Sequence, residues 1–212
     1  MPVASRMVLS TPAARRGLLL KMALRRARPG TGSAEVFLRE RTAMVTWPDL
    51  TEVLGEIPWA VVGAVATRAY MPERVTQDLD VLVRAVDAVE ARARFRAAGY
   101  TQVQELAIGG VTWRSPAGAL VDVIESSLDW VLEALRSPGR DPQGLPILTL
   151  PYLVLTKVQA GRTQDLADAA RMLGLASAEV REATREIVRR WLPDALEDLE
   201  NLIVLGELEM GR

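Results

Sequence analysis

The spacing of apolar and polar positions changes character along this chain. From residue 60 to 124 the apolar runs are short and broken by turn residues. Ala60-Val61-Val62, Gln77–Val83, Gln102–Ala107, Val111–Ser115 and Ala119–Ile124 each predict a strand. Gly63 turns the chain into an alanine-rich helix over 64–70, and Met71-Pro72-Glu73-Arg74 reads as a loop. Residues 85–98 predict a helix closed by Gly99. Gly109-Gly110 and Pro116-Ala117-Gly118 are turn signals, the first of them a hairpin. Upstream, residues 34–44 have helical character, and Asp49 opens a short helix to Leu54. Ser127 caps a helix to Leu135, and 137–146 is a polar Gly/Pro loop that reads as a domain boundary. Beyond Pro151 the period is helical throughout: 153–160, 164–173 behind Thr163, 178–191 behind Ser177, and 193 to about 208. The fold class this predicts is α+β (mixed α/β). A mixed sheet flanked by helices fills 34–136, and a helical bundle follows at 147–212.

Residues 1–33 stand apart. They carry Arg6, Arg15, Arg16, Lys21, Arg25, Arg26 and Arg28 and no acid, and end in Pro29-Gly30-Thr31-Gly32-Ser33. Such a segment reads as a basic, disordered tail, as an organelle-targeting peptide, or as an arm for RNA. Its charge is offset elsewhere, because the whole 212-residue chain has a formal net charge of -1.

Composition narrows the chemistry further. The chain has no Cys and no His. Thiol nucleophiles, disulfides, histidine bases and zinc–histidine sites are therefore excluded. What remains is Asp, Glu, Lys, Arg and hydroxyl groups, which suit hard metals such as magnesium or manganese. No apolar run reaches the length of a membrane span, so a cytoplasmic protein without membrane contacts is expected.

Two carboxylates sit at the start of the second strand, in Gln77-Asp78-Leu79-Asp80-Val81. A strand has a side-chain period of two, so Asp78 and Asp80 share a face and Leu79 and Val81 take the other. Asp122 lies in a later apolar strand, where a carboxylate is costly unless paired or metal-bound. Each alone reads more readily as a strand-end acid reaching solvent or an arginine. Together, with a helix opened by Gly63 and Ala64 offering backbone N–H groups to a phosphate, they suggest two-metal phosphoryl chemistry.

Val62-Gly63-Ala64, a gap, then Asp78-Leu79-Asp80-Val81 resembles the signature of the DNA polymerase β-like nucleotidyltransferase superfamily. Val121-Asp122-Val123 is similar to its third-carboxylate strand. The stretch from Leu153 through Lys157, Gly161-Arg162-Thr163-Gln164-Asp165 and Asp168 resembles the later motifs of AbiEii-type nucleotidyltransferases, toxins of bacterial abortive-infection and toxin–antitoxin systems. Two positions depart from these patterns: Ala64 replaces a Gly or Ser, and Gln164 replaces a Lys.

The resemblance implies transfer of a nucleoside monophosphate from an NTP to an acceptor hydroxyl on RNA (tRNA included), protein or a small molecule. It implies Mg2+ or Mn2+ on Asp78, Asp80 and Asp122. It places the nucleotide against Gly63, Ala64, Arg74, Thr76 and Asp165, gives Lys157 a part in catalysis, and implies an antitoxin as partner. The alternative is a degenerate member of the fold that binds a nucleotide or partner without chemistry. Read without the resemblance, Lys157 is also a snorkelling surface lysine, Asp165 a helix first-turn acid, and Arg74 a partner for Glu73. Tyr70 and Trp113 fit the core better than a base stack, and Glu125 reads as a surface acid.

Overall fold

A computed structural model describes residues 11–27, 47–71, 76 and 78–210. The helix expected at 34–44 and Arg74 lie outside the described residues. The chain divides into two compact units, one formed by 33–153 and the other by 1–32 together with 154–212.

The first unit is built on a mixed sheet. Its strands are β1 (Trp59–Val61), β2 (Asp78–Arg84), β3 (Thr101–Glu105), β4 (Gly110–Arg114), β5 (Leu120–Ser126), β6 (Gly139–Arg140) and β7 (Pro146–Ile147), in the order β3-β4-β5-β2-β1-β7-β6. β2 and β5 are parallel neighbours at the centre, and β1 runs antiparallel to β2. One sheet face is apolar at its centre. Leu79, Val81 and Val83 on β2 meet Val121 and Val123 on β5 and Trp113 on β4, none more than 1% exposed.

Counting only described residues, the helices are α1 (Pro12–Arg26), α2 (Thr51–Leu54), α3 (Gly63–Thr67), α4 (Ala88–Ala97), α5 (Asp129–Arg136), α6 (Leu150–Ala160), α7 (Thr163–Leu175), α8 (Ala178–Trp191) and α9 (Leu196–Met210). Phe95 of α4 stacks on Trp113, ring centroids 5.4 Å apart, and Tyr100 closes on Phe95 edge-on at 4.9 Å. Trp113 is thus a core residue. Tyr70 donates to the Leu148 carbonyl at 3.1 Å, and burial raises its phenol pKa.

The polar stretch expected as a boundary loop at 137–146 is instead the hairpin β6–β7, and β7 joins the sheet beside β1. Two features override its turn-rich composition. Leu145, Ile147 and Leu148 are buried, and the buried Asp141 pairs with Arg68 while accepting from the Gln143 and Leu145 amides.

The second unit is helical. α7 and α9 touch through glycines: a Cβ on Gly206 would lie 2.0 Å from the Ala170 carbonyl oxygen, and one on Gly174 would lie 2.4 Å from that of Gly206. The expectation of a disordered basic tail is corrected here for residues 12–26. Thr11 caps α1 by accepting from the Ala14 amide at 3.1 Å, and Pro12 sits at its first turn. Arg16 is only 3% exposed and donates from Nε to Asp198 of α9 at 2.9 Å, beside the buried Leu20.

Candidate active site

The parallel pairing of β2 with β5 sets Asp80 opposite Asp122 and Asp78 opposite Leu120. Residues opposite each other on paired strands point to the same face, about 4.8 Å apart, and Asp78 is roughly 6.6 Å along β2 from Asp80. The three carboxylates predicted from sequence are therefore neighbours on one patch of sheet. All three are partly exposed, whereas the residues between them are buried. The Asp122 side chain has no hydrogen-bond or ion-pair partner among the described residues. Two carboxylates side by side on a half-buried surface repel, and no cation among the described residues pairs with Asp122.

The row extends beyond the predicted residues. Antiparallel pairing places Thr112 of β4 opposite Asp122, and Gln104 of β3 opposite Thr112. Gln104, Thr112, Asp122 and Asp80 thus form a polar line across four strands. Thr112 is 4% exposed, and its hydroxyl accepts from Gln104 Nε2 at 3.5 Å. No local pattern marks Thr112, since strand register between segments distant in sequence is invisible to one.

At the other end of the row, Asp80 closes on Gly63. A Cβ on Gly63 would sit 1.9 Å from Asp80 Oδ2, 2.7 Å from its Cγ and 3.0 Å from its Cβ, and Gly63 has φ +63. Only glycine fits both the left-handed turn and the carboxylate beside it. The Val62 amide donates to the Asp80 carbonyl at 2.9 Å and keeps this junction in place. α3 beyond it has only five residues, with Ala64 buried, so the expected phosphate cradle is a single short turn. Thr76 donates its hydroxyl to Asp78 Oδ1 at 2.8 Å and so holds the first carboxylate.

The donor set, all carboxylate oxygen, is one that magnesium or manganese accepts. As the side chains stand, no three acids among the described residues converge on one point that would hold an ion. Asp78 leans on Thr76 and Asp80 on Gly63. The backbone register fits a metal site, and rotation of these carboxylates about their side-chain bonds would be needed to gather them.

In the helical unit Lys157 is neither a surface lysine nor an open cation. It is 4% exposed, and its Nζ donates to Asp168 Oδ2 at 2.9 Å and lies 3.4 Å from Asp165 Oδ1. Asp165 also accepts from Arg162 Nε at 2.7 Å, and Gln164 Nε2 donates to Asp168 Oδ1 at 2.8 Å. Two cations and two carboxylates close a neutral network across the Gly161 corner between α6 and α7. A direct phosphate contact from Lys157 would have to break this network. Glu125, expected at the surface, is held by Arg92 through two hydrogen bonds of 2.6 and 2.7 Å.

No family model matches the chain, and no curated protein matches it. Among solved structures, the solution structure of the antibiotic-resistance factor ANT(2'')-Ia overlaps 74% of this chain and 87% of its own, at 14% identity and a TM-score of 0.43. Its crystal structure in complex with adenylyl-2''-tobramycin overlaps 68% and 95%, at 16% identity and 0.45. Terminal uridylyl transferase 4 from Trypanosoma brucei with bound GTP overlaps 92% and 55%, at 10% identity and 0.31. These neighbours are nucleotidyltransferases. At such identities and TM-scores they record a likeness.

Proposed function

We propose that the sheet unit is a metal-dependent nucleotidyltransferase centre. The observation that carries this reading is the register pairing of Asp80 with Asp122, with Asp78 one step away on the same face. Asp78 and Asp80 would hold Mg2+ or Mn2+ against the triphosphate of an NTP, and Asp122 would complete the set. A bound divalent ion would offset the triphosphate charge and make the acceptor hydroxyl more acidic. Asp122 would receive the acceptor proton as the acceptor oxygen bonds to the α-phosphorus and pyrophosphate leaves. Thr76 and Thr112 would orient Asp78 and Asp122. In this reading Lys157, Asp165 and Gln164 stiffen the helical unit.

The test uses each NTP labelled at the α-phosphate, with Mg2+ or Mn2+, and RNA, protein and aminoglycoside hydroxyls as acceptors. Label transfer by the wild type, abolished in Asp80→Asn and Asp122→Asn, is the expected result. A wild type that neither binds Mn2+ nor is stabilised by an NTP with Mg2+ overturns the reading.

A second reading is a nucleotide- or partner-binding protein of the same fold without chemistry. The positions of Asp80 on Gly63 and of Lys157 in its closed network favour it. NTP binding without label transfer to any acceptor would select it.

A further inference from the structure

Charge is distributed very unevenly along this chain. Residues 1–33 hold seven cations and no acid, and the remainder holds nineteen cations against twenty-seven acids. The structure divides the cations of α1 into two sets. Arg16 is taken inward by Asp198, with Asp194 3.5 Å from its Nη2, and the Arg16 stem lies over Gly161. This ion pair and Leu20 dock α1 on the helical unit and fix which way it faces. Arg15, Lys21, Arg25 and Arg26 are all exposed. At 100° per residue they fall on the half of the helix opposite Arg16 and Leu20.

We infer that this outward face of α1 binds the phosphate backbone of single-stranded RNA. Three of its four exposed cations are arginines, whose planar forks match phosphate oxygens. No acid lies on the helix itself, and Lys21, Arg25 and Arg26 have no ion-pair partner among the described residues. Leu19 and Met22, 36% and 45% exposed, lie among the cations and offer apolar surface to unpaired bases. They are too few to insert into a bilayer as an amphipathic anchor does. As a statement about the acceptor class the inference rests on the transferase reading. As a statement about binding it does not need the carboxylates.

The experiment measures binding of a fluorescein-labelled 20-nucleotide RNA of mixed sequence by anisotropy, from 25 to 300 mM KCl. The proteins are wild type, Asp80→Asn/Asp122→Asn, and a variant with Lys21, Arg25 and Arg26 all changed to Gln. Three phosphate contacts on a single strand predict a slope of log K against log salt of about -2.1. The three-Gln variant should lose most of that slope and bind at least tenfold more weakly at low salt. Its thermal melt should match wild type, because Arg16 is untouched. The Asp80→Asn/Asp122→Asn variant should bind RNA as wild type does, so failed transfer with intact RNA binding counts against the catalytic reading alone. Vesicles of phosphatidylcholine with 30% phosphatidylserine are the competing arm. No RNA binding at 25 mM KCl, an unchanged slope in the three-Gln variant, or preference for the vesicles overturns the inference.

Discussion

Gly63→Ala tests how the fold and the site are joined. The substitution carries two costs. At φ +63 an alanine gives up about 1–2 kcal/mol relative to glycine. The new Cβ would also meet Asp80. Oδ2 at 1.9 Å and Cγ at 2.7 Å can clear it only by leaving their rotamer, and Asp80 Cβ at 3.0 Å, fixed to the strand, must give as well. Overpacking of this kind adds about 1 kcal/mol or more. The total expected loss is therefore about 2–4 kcal/mol, read from urea denaturation with an unchanged m-value. The decisive measurement is the double-mutant cycle with Asp80→Ala. Removing the carboxylate removes the two shortest contacts but leaves the φ cost, so the two substitutions should couple by about 1 kcal/mol. Additivity within about 0.5 kcal/mol, or a Gly63→Ala loss below about 1 kcal/mol, would refute the close approach of Asp80 to Gly63.

Further outcomes follow from the same geometry. Mn2+ should raise the melting temperature of wild type in a concentration-dependent way, as mass action requires, and should not do so for Asp122→Asn; equal shifts in both would remove Asp122 from the metal set. Thr112→Val should weaken Mn2+ binding with little change in stability, and Thr112→Ser should restore it, as checked by Mn2+ electron paramagnetic resonance. Lys157→Met removes the ammonium that the fully buried Asp168 and the nearly buried Asp165 share, Asp165 keeping Arg162, and should cost about 3 kcal/mol in chemical denaturation. Gly206→Ala should cost about 2 kcal/mol or more, because its Cβ meets a backbone carbonyl oxygen that cannot turn away. The Glu200 carboxyl is held below its ordinary range, chiefly by the hydrogen bond from Arg185. Its contribution is present above the unfolded carboxylate pKa and fades as pH falls through the lowered folded value. Arg185→Ala should move the Glu200 titration back upward in a carbon-detected NMR titration.

Local periodicity determined much of this protein. The i, i+2 spacing put Asp78 and Asp80 on one face with Leu79 and Val81 on the other, because the strand period acts within a few residues. The Gly109-Gly110 hairpin, the strand around Asp122 and the helix behind Ser177 were legible for the same reason, whereas Thr163 is the first residue of its helix and not the cap. Other features depend on contacts between distant segments. Asp122 meets Asp80 only through β2–β5 register, forty-two residues apart in the chain, and Thr112 joins them through a second pairing. The Arg-rich N-terminal stretch has the composition of a tail, yet α1 docks because Asp198 accepts Arg16. Residues 137–146 have the composition of a linker, yet β7 is captured by β1 and Asp141 by Arg68. Lys157 has the look of a free cation in sequence and is neutralised by two carboxylates one helix away. Sequence by itself decides which residues can be charged, apolar or turning at each position. Tertiary structure decides which of those charges find partners, because burial and strand register act across the chain rather than along it.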